Sequence, residues 1–304
     1  MLCFHENTIG LVMLVFVGIL IATLATLSVL VPLEPQTFVA APSDPPVCGV
    51  AIALMMRNPV DLPLWLKHHR NLGVRCFFIR LEDSPSWIDF LESQPDVVLE
   101  VSRSDEKNNY ETIMHRQLRF VDKSLARAAA MGGDIEWVFH VDADELLYGS
   151  LAFLDMVDPS YKVVTIKNVE AIFDGKEESC FSARKFVVCE QSTECRAYAN
   201  GKSGGRVGPG ISLMGPHNFG FNGQMHGSAT YDVPIKQLCV LHFDGCSFGA
   251  WAEKFRHLST GNTSSIPFSY YNDSIKAATT AFDAYKKHVI RDSNNVPAHA
   301  LMSI

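Results

Sequence analysis

Hydrophobic residues come in blocks along this chain, and the blocks change period. Residues 47–56 form a nearly unbroken apolar run bounded by prolines, the pattern of a strand buried on both faces. Residues 61–72 then switch to helical spacing. Leu62, Trp65, Leu66 and His69 fall on one face, Asp61 sits at the N-cap position, and Gly73 ends the segment. A second strand over 76–79 runs out into Leu81-Glu82-Asp83-Ser84. A short helix over 86–92, a strand over 97–101 and a long helix over 109–131 follow, the last closed by Gly132-Gly133. Glu136-Trp137-Val138-Phe139 is the next strand, and it stops at Asp142. Strands alternating with helices predict an α/β domain with a parallel sheet and right-handed crossovers.

Two stretches lie outside this alternation. Residues 9–31 carry no charge and are long enough to cross a bilayer as a helix. They exceed a signal-peptide core, and no small-residue cleavage site follows. Residues 32–46 contain five prolines and read as an extended stem. The expected organisation is a tail over 1–8, an anchor over 9–31, the stem, a catalytic domain over 47–260 and a C-terminal segment over 261–304. No Lys or Arg precedes Arg57, so the positive-inside rule does not orient the anchor. The sequons at Asn262 and Asn272 suit a luminal domain, which gives a single-pass protein of the Golgi or endoplasmic reticulum.

Composition narrows the function. Of 304 residues 47% are hydrophobic and 19% charged, enough for a sizeable core. The formal charge of −7 argues against a general nucleic-acid binder. There is no Gly-rich phosphate loop and no internal repeat. The eight cysteines form no C-x-x-C pair, which disfavours a zinc site. Cys180, Cys189 and Cys195 cluster in a polar stretch that suits one disulfide, while Cys76 reads as core filler.

The chemistry concentrates in His140–Leu147, HVDADELL. Open α/β sheets bind ligands beyond the carboxyl ends of their strands, and here the strand ends in Asp142 and Asp144. Two adjacent carboxylates repel each other, and a hard divalent cation that also takes diphosphate oxygens resolves the conflict. The plain alternative is a turn in which Asp144 or Glu145 caps the next segment.

The order of motifs resembles family 2-like and family 92-like glycosyltransferases. Arg57-Asn58, then Asp61 to His69 with Leu72-Gly73-Val74, is similar to the opening of such enzymes, and Trp137 to Leu146 resembles their metal-binding motif. Asn200 to Arg206, Gly215 to Phe219, Val240 to Asp244 and Trp251 to Phe255 are similar to their C-terminal half. One departure is Asn58-Pro59, where the family pattern has Asn-Glu. The resemblance implies a GT-A-type α/β fold, a nucleotide-sugar donor (a uridine diphosphate sugar), Mn²⁺ or Mg²⁺, and a glycan, glycoprotein or glycolipid acceptor.

By that similarity Asp142 lies near the ribose and the metal, Asp144 ligates the ion directly, and His242 reaches the ion or diphosphate. Asp83 and Arg57, at the mouth of the sheet, face base, ribose or diphosphate; a turn-forming Asp and a solvated Arg are the plain readings. Lys202 and Arg206 flank a Gly-rich stretch that reads as a mobile cover over the diphosphate, or as an ordinary loop. His217 sits in a Gly-Pro turn. An inverting transfer needs a carboxylate base; Asp244 is the first choice, ahead of Glu170, Asp174 and Asp232. The rival functions are a catalytically silent glycan- or nucleotide-sugar-binding partner of another transferase, and a metal-dependent nucleotidyltransferase.

Overall fold

The computed structural model describes residues 36–37, 48–102, 110–174, 179–189, 195–259, 269–277, 285, 289–290 and 292–304. They form a mixed α/β fold in which one large mixed sheet is flanked by helices. In chain order the strands are β1 (Gln36–Thr37), β2 (Val50–Met56), β3 (Val74–Glu82), β4 (Val97–Ser102), β5 (Trp137–Phe139), β6 (Glu145–Gly149) and β7 (Val163–Ala171). β8 (Lys185–Val188), β9 (Lys202–Arg206), β10 (Ile211–Gly215), β11 (Asn218–Phe221), β12 (Thr230–Asp232), β13 (Leu238–His242) and β14 (Leu301–Ser303) complete the set.

The first half meets the expectation closely. β4, β3, β2 and β5 lie side by side and parallel. Alternation along β2 splits the interior. Val50, Ile52, Leu54 and Met56 join one core with Leu62, Trp65 and Leu66 of the Leu62–Asn71 helix. Ala51 and Ala53 face the other, smaller core, where Phe120, Val121, Leu125 and Ala128 of the Tyr110–Ala130 helix pack. Small residues on that face admit the long helix, and each fully buried Ile or Leu side chain contributes about 1.5–3 kcal/mol.

The second half departs from a purely parallel sheet. β9 runs antiparallel between β5 and β7. β7 then serves two sets of neighbours: residues 163–166 pair with β9 and β12, and residues 167–171 with β13 and β8. β13 also pairs antiparallel with β6, with His242 opposite Glu145. That register brings two segments about a hundred residues apart to one place. β14, in the C-terminal segment over 261–304, pairs with β8 and β1 and so joins the main sheet.

No helix among the described residues is long and apolar enough to cross a membrane. The expected anchor over 9–31 and the sequon at Asn262 lie outside the described residues, as does the 32–46 stem apart from Gln36–Thr37. Asn272 lies in the Ser269–Ala277 helix. In place of one disulfide there are two, Cys180–Cys246 and Cys189–Cys195. Cys246 follows β13, and the fold brings that loop to Cys180. Cys76 is free and buried, as expected.

Candidate active site

The aspartates of HVDADELL stand on the turn between β5 and β6. The Leu62–Asn71 helix holds that turn through three side chains. Trp65 Nε1 donates to the Glu145 carbonyl at 2.7 Å, and His68 Nε2 lies 2.6 Å from the Leu147 carbonyl. His69 Nε2 accepts from the Leu147 amide at 3.2 Å, while its Nδ1 is 3.0 Å from the Trp65 carbonyl. The Trp and His residues at helical spacing therefore pin the backbone that carries the carboxylates.

Asp142 is held on all sides. Lys202 Nζ donates to its Oδ2 at 2.6 Å, and Gln117 Nε2 lies 3.5 Å from Oδ1. Its own amide donates to Glu145 Oε2 at 2.7 Å. Glu145 is fully buried, accepts from the Tyr198 hydroxyl and sits 3.3 Å from Lys202 Nζ. Partial burial works against ionisation of Asp142, but the Lys202 ammonium outweighs it and holds the carboxyl below the usual range. Burial and the neighbouring acids push Glu145 up instead. His140 sits behind this group with Nδ1 2.7 Å from the Ala53 carbonyl. Burial, and then Lys202, lower it to about 4.

Asp144 meets a different set. Lys254 Nζ lies 3.0 Å from its Oδ2 and 2.6 Å from Asp244 Oδ1, and His242 Nε2 is 3.9 Å from the same Asp144 oxygen. The backbone link is direct, since the Phe243 amide donates to the Asp144 carbonyl at 2.8 Å. Burial opposes the charge on Asp144, and Lys254 followed by His242 lowers its pKa nonetheless.

Asp144, His242 and Asp244 offer an oxygen, a nitrogen and an oxygen within 4.8 Å of one another. Among the described residues, His242 Nδ1 and Asp244 Oδ2 are buried without a hydrogen-bond partner, at 3% and 6% residue exposure. Orphaned buried polar atoms are costly, and a mixed carboxylate–imidazole set suits a divalent transition ion such as Mn²⁺ better than Mg²⁺, which prefers oxygen ligands alone. These three residues could hold such an ion. Asp142, expected among the ligands, lies outside this set, and Lys202 Nζ donates to its Oδ2.

The other expected residues divide. Arg57 and Asp83 come together at the carboxyl ends of β2 and β3, with Arg57 Nε 3.9 Å from Asp83 Oδ2. Asn58, Asp61 and Asp83 all carry positive φ there, at 42°, 51° and 47°. Such strain at non-glycine residues gathers at functional sites. The Asn58 amide donates to Ser84 Oγ at 2.7 Å, and its side-chain amide donates to Glu253 from the Phe248–Leu258 helix. Arg57 also meets His257 of that helix. Asp61 is a helix-start residue without a capping bond; its carboxylate accepts from the Cys180 amide at 3.2 Å.

The mobile cover expected at Lys202 and Arg206 is corrected by the structure. The segment is strand β9, and Lys202 has no exposed side-chain surface. Its glycines serve close packing, since a Cβ at Gly204 would stand 2.8 Å from the Phe139 ring. Arg206 is not brought to the carboxylates. It lies at the opposite end of β9, 2.6 Å from Glu136 Oε1 and 4.6 Å over the Trp137 ring. Glu170 accepts the amides of Arg196 and Ala197 at 2.8 and 2.9 Å, and Asp232, on strand β12, accepts from Thr165 of β7. His217 packs on Tyr198 at 4.2 Å and is 2.7 Å from Asn200 Oδ1.

Lys254 and Tyr198 are the residues that sequence reasoning did not single out. Lys254 carried a legible signal, because it sits between Trp251 and Phe255 near the buried face of an amphipathic helix. Tyr198, in an irregular stretch, carried none.

No protein-family model matches the chain, and no curated protein matches it. Among solved structures, a mannosyltransferase from Pyrobaculum calidifontis in complex with GDP-Man and Mn²⁺ is 20% identical over 44% of this chain, with TM-score 0.26. This chain spans 39% of that protein's length. Rv0371c from Mycobacterium tuberculosis H37Rv is 12% identical over 43% of this chain and 69% of its own, with TM-score 0.27. A 4-diphosphocytidyl-2C-methyl-D-erythritol synthase from Anaerococcus prevotii is 11% identical over 52% of this chain and 70% of its own, with TM-score 0.29. Likeness at this level assigns no activity.

Proposed function

We propose that the chain is a metal-dependent glycosyltransferase that moves a sugar from a nucleotide-sugar donor, a uridine diphosphate sugar, to a hydroxyl of a glycan-bearing acceptor. The observation that carries this reading is the meeting of Asp144, His242 and Asp244 beside the carboxyl ends of a parallel sheet, with two of their buried atoms unpartnered. Asp144 and His242 would hold Mn²⁺ or Mg²⁺, which as a Lewis acid offsets the charge that grows on a diphosphate leaving group. Arg57 and Asp83, on the strained ends of β2 and β3, bind the nucleoside part of the donor. Lys202 keeps Asp142 ionised, while Glu145, which accepts the Asp142 amide and the Tyr198 hydroxyl, holds the backbone that orients it.

Asp244 takes the proton from the acceptor hydroxyl. Its Oδ1 accepts from Lys254, and the carboxylate lines a small recess with Glu170, Arg196 and Tyr270. The two disulfides support a domain that folds in an oxidising lumen, as an anchored enzyme of the secretory pathway would.

The test is thermal melting of the wild type with Mn²⁺ and uridine diphosphate sugars, separately and together. Stabilisation by the pair beyond either alone is expected, and its absence across several sugars removes the reading. Asp244→Asn should keep Mn²⁺ and donor binding while turnover falls roughly 10²–10⁴-fold. Loss of Mn²⁺ binding in that variant would make Asp244 a metal ligand instead of the base.

A further inference from the structure

Lys254 occupies the carboxylate that the proposed metal needs, that of Asp144. Its Nζ is 3.0 Å from Asp144 Oδ2, the oxygen nearest His242, and 2.6 Å from Asp244 Oδ1. A divalent ion on Asp144 Oδ2 would stand about 2.1 Å from that oxygen. Two cations on one carboxylate oxygen repel each other strongly. The ligand atoms of the cluster span at most 4.8 Å, so there is no distant corner in which both can sit.

The two lysines at the motif differ in their freedom to leave. Lys202 has no exposed side-chain surface and is enclosed by Asp142, Glu145 and the Tyr198 ring. Lys254 keeps 32% of its side-chain surface exposed, on a flexible four-carbon stem that lies over the rings of Tyr271 and Phe255 at 5.4 and 6.0 Å. Asp244 Oδ1 gives its ammonium a second partner that does not require Asp144.

We propose that Lys254 is a built-in counterion that competes with the divalent ion for Asp144, so that loading the metal requires its ammonium to move off that carboxylate. This inference rests on the metal reading above and adds to it a residue that sets the affinity of the site. Without metal, Lys254 then offsets one of the two negative charges of Asp144 and Asp244, and the site binds the free ion weakly.

The experiment measures Mn²⁺ affinity by electron paramagnetic resonance of the free ion, with no donor present and after removal of bound metal. The proteins are the wild type, Lys254→Met, Lys254→Arg and Arg256→Gln, each first shown to be folded by its melting curve. Lys254→Met should bind Mn²⁺ at least about tenfold more tightly than wild type, a change of 1.4 kcal/mol in binding. Lys254→Arg, which keeps the charge, and Arg256→Gln, which removes an exposed cation from the same helix, should stay within about threefold. If Lys254→Met fails to fold, Lys254→Gln, which keeps a donor for the carboxylates, is read the same way. Equal or weaker Mn²⁺ binding in the neutral variant, with the wild type still binding, overturns the competition and leaves the metal site standing. An equal gain in Arg256→Gln reduces the effect to general charge and also overturns it. No Mn²⁺ binding to any of the proteins overturns both this inference and the metal reading.

Discussion

Asp142 and Asp144 are separated by one residue and stand in opposite kinds of surroundings. Asp142 faces a closed network in which Lys202 and Glu145 are buried and the Tyr198 hydroxyl is engaged. Asp144 faces an open one, with a partly exposed lysine and two unpartnered buried atoms on His242 and Asp244. Side-chain exposure of the two aspartates is nearly equal, at 31% and 32%, so burial does not explain the difference. It lies in what else is satisfied nearby. A complete network orients a group, whereas an incomplete one leaves room for a ligand.

The largest expected effect breaks the closed side. Lys202→Met strands Asp142 and Glu145 beside each other and should cost about 3–5 kcal/mol, read by urea unfolding without metal. Lys254→Met should cost less, because Lys254 and Asp144 are each about a third exposed and only Asp244 is left as a buried carboxylate. Equal losses would erase the contrast between the two halves.

A pH titration sharpens the same side. His140, lowered to about 4 against an ordinary value near 6.5, takes up a proton in the unfolded chain first. Its neutral form therefore favours folding fully above pH 6.5, and that preference is lost as pH falls from 6.5 to about 4. The whole change is on the order of 3 kcal/mol. His217, lowered to about 2 by burial and Lys202, acts in the same direction from pH 6.5 down to about 2. His140→Asn should flatten the slope of stability between pH 6.5 and 4. An unchanged slope would show that His140 is not held neutral.

Smaller still is the difference between the aspartates themselves. Asp142→Asn should lower metal-free stability by about 1–3 kcal/mol, since Lys202 loses its strongest partner. Asp144→Asn should stay within about 0.5 kcal/mol without metal, yet abolish any stabilisation by Mn²⁺. Melting curves with and without the ion check both, and the reverse pattern would exchange their roles. An effect on stability alone is expected far from the cluster. Arg206→Ala should cost about 1 kcal/mol through the lost contact with Trp137, with no change in nucleotide-sugar binding.

The parallel half was legible because each strand carries its own signal. Val50 to Leu54 are apolar without a break, and the heptad-like spacing of Leu62, Trp65, Leu66 and His69 has a single reading. The carboxylates of Asp142 and Asp144 were visible for the same local reason. The segment from Lys202 to Arg206 was not, since a strand of lysine, serine and glycine has neither alternation nor β-branched residues. Its glycines answer to the Phe139 ring and to the Ile211 and Phe219 side chains across the fold, contacts that no local pattern reports. The second disulfide was missed because Cys180 and Cys246 lie 66 residues apart.

What the sequence by itself determined is the set of elements and the presence of two carboxylates where a buried strand ends. Periodicity and turn chemistry act over a few residues, and they need no knowledge of the rest of the chain. Which cation each carboxylate meets was decided only by the tertiary structure. Antiparallel pairing of β6 with β13 sets His242 and Asp244 against Asp144, and the placement of β9 against β5 and β7 sets Lys202 against Asp142. Both pairings close loops of tens of residues. They form because they complete a buried sheet, and the charges arrive with it.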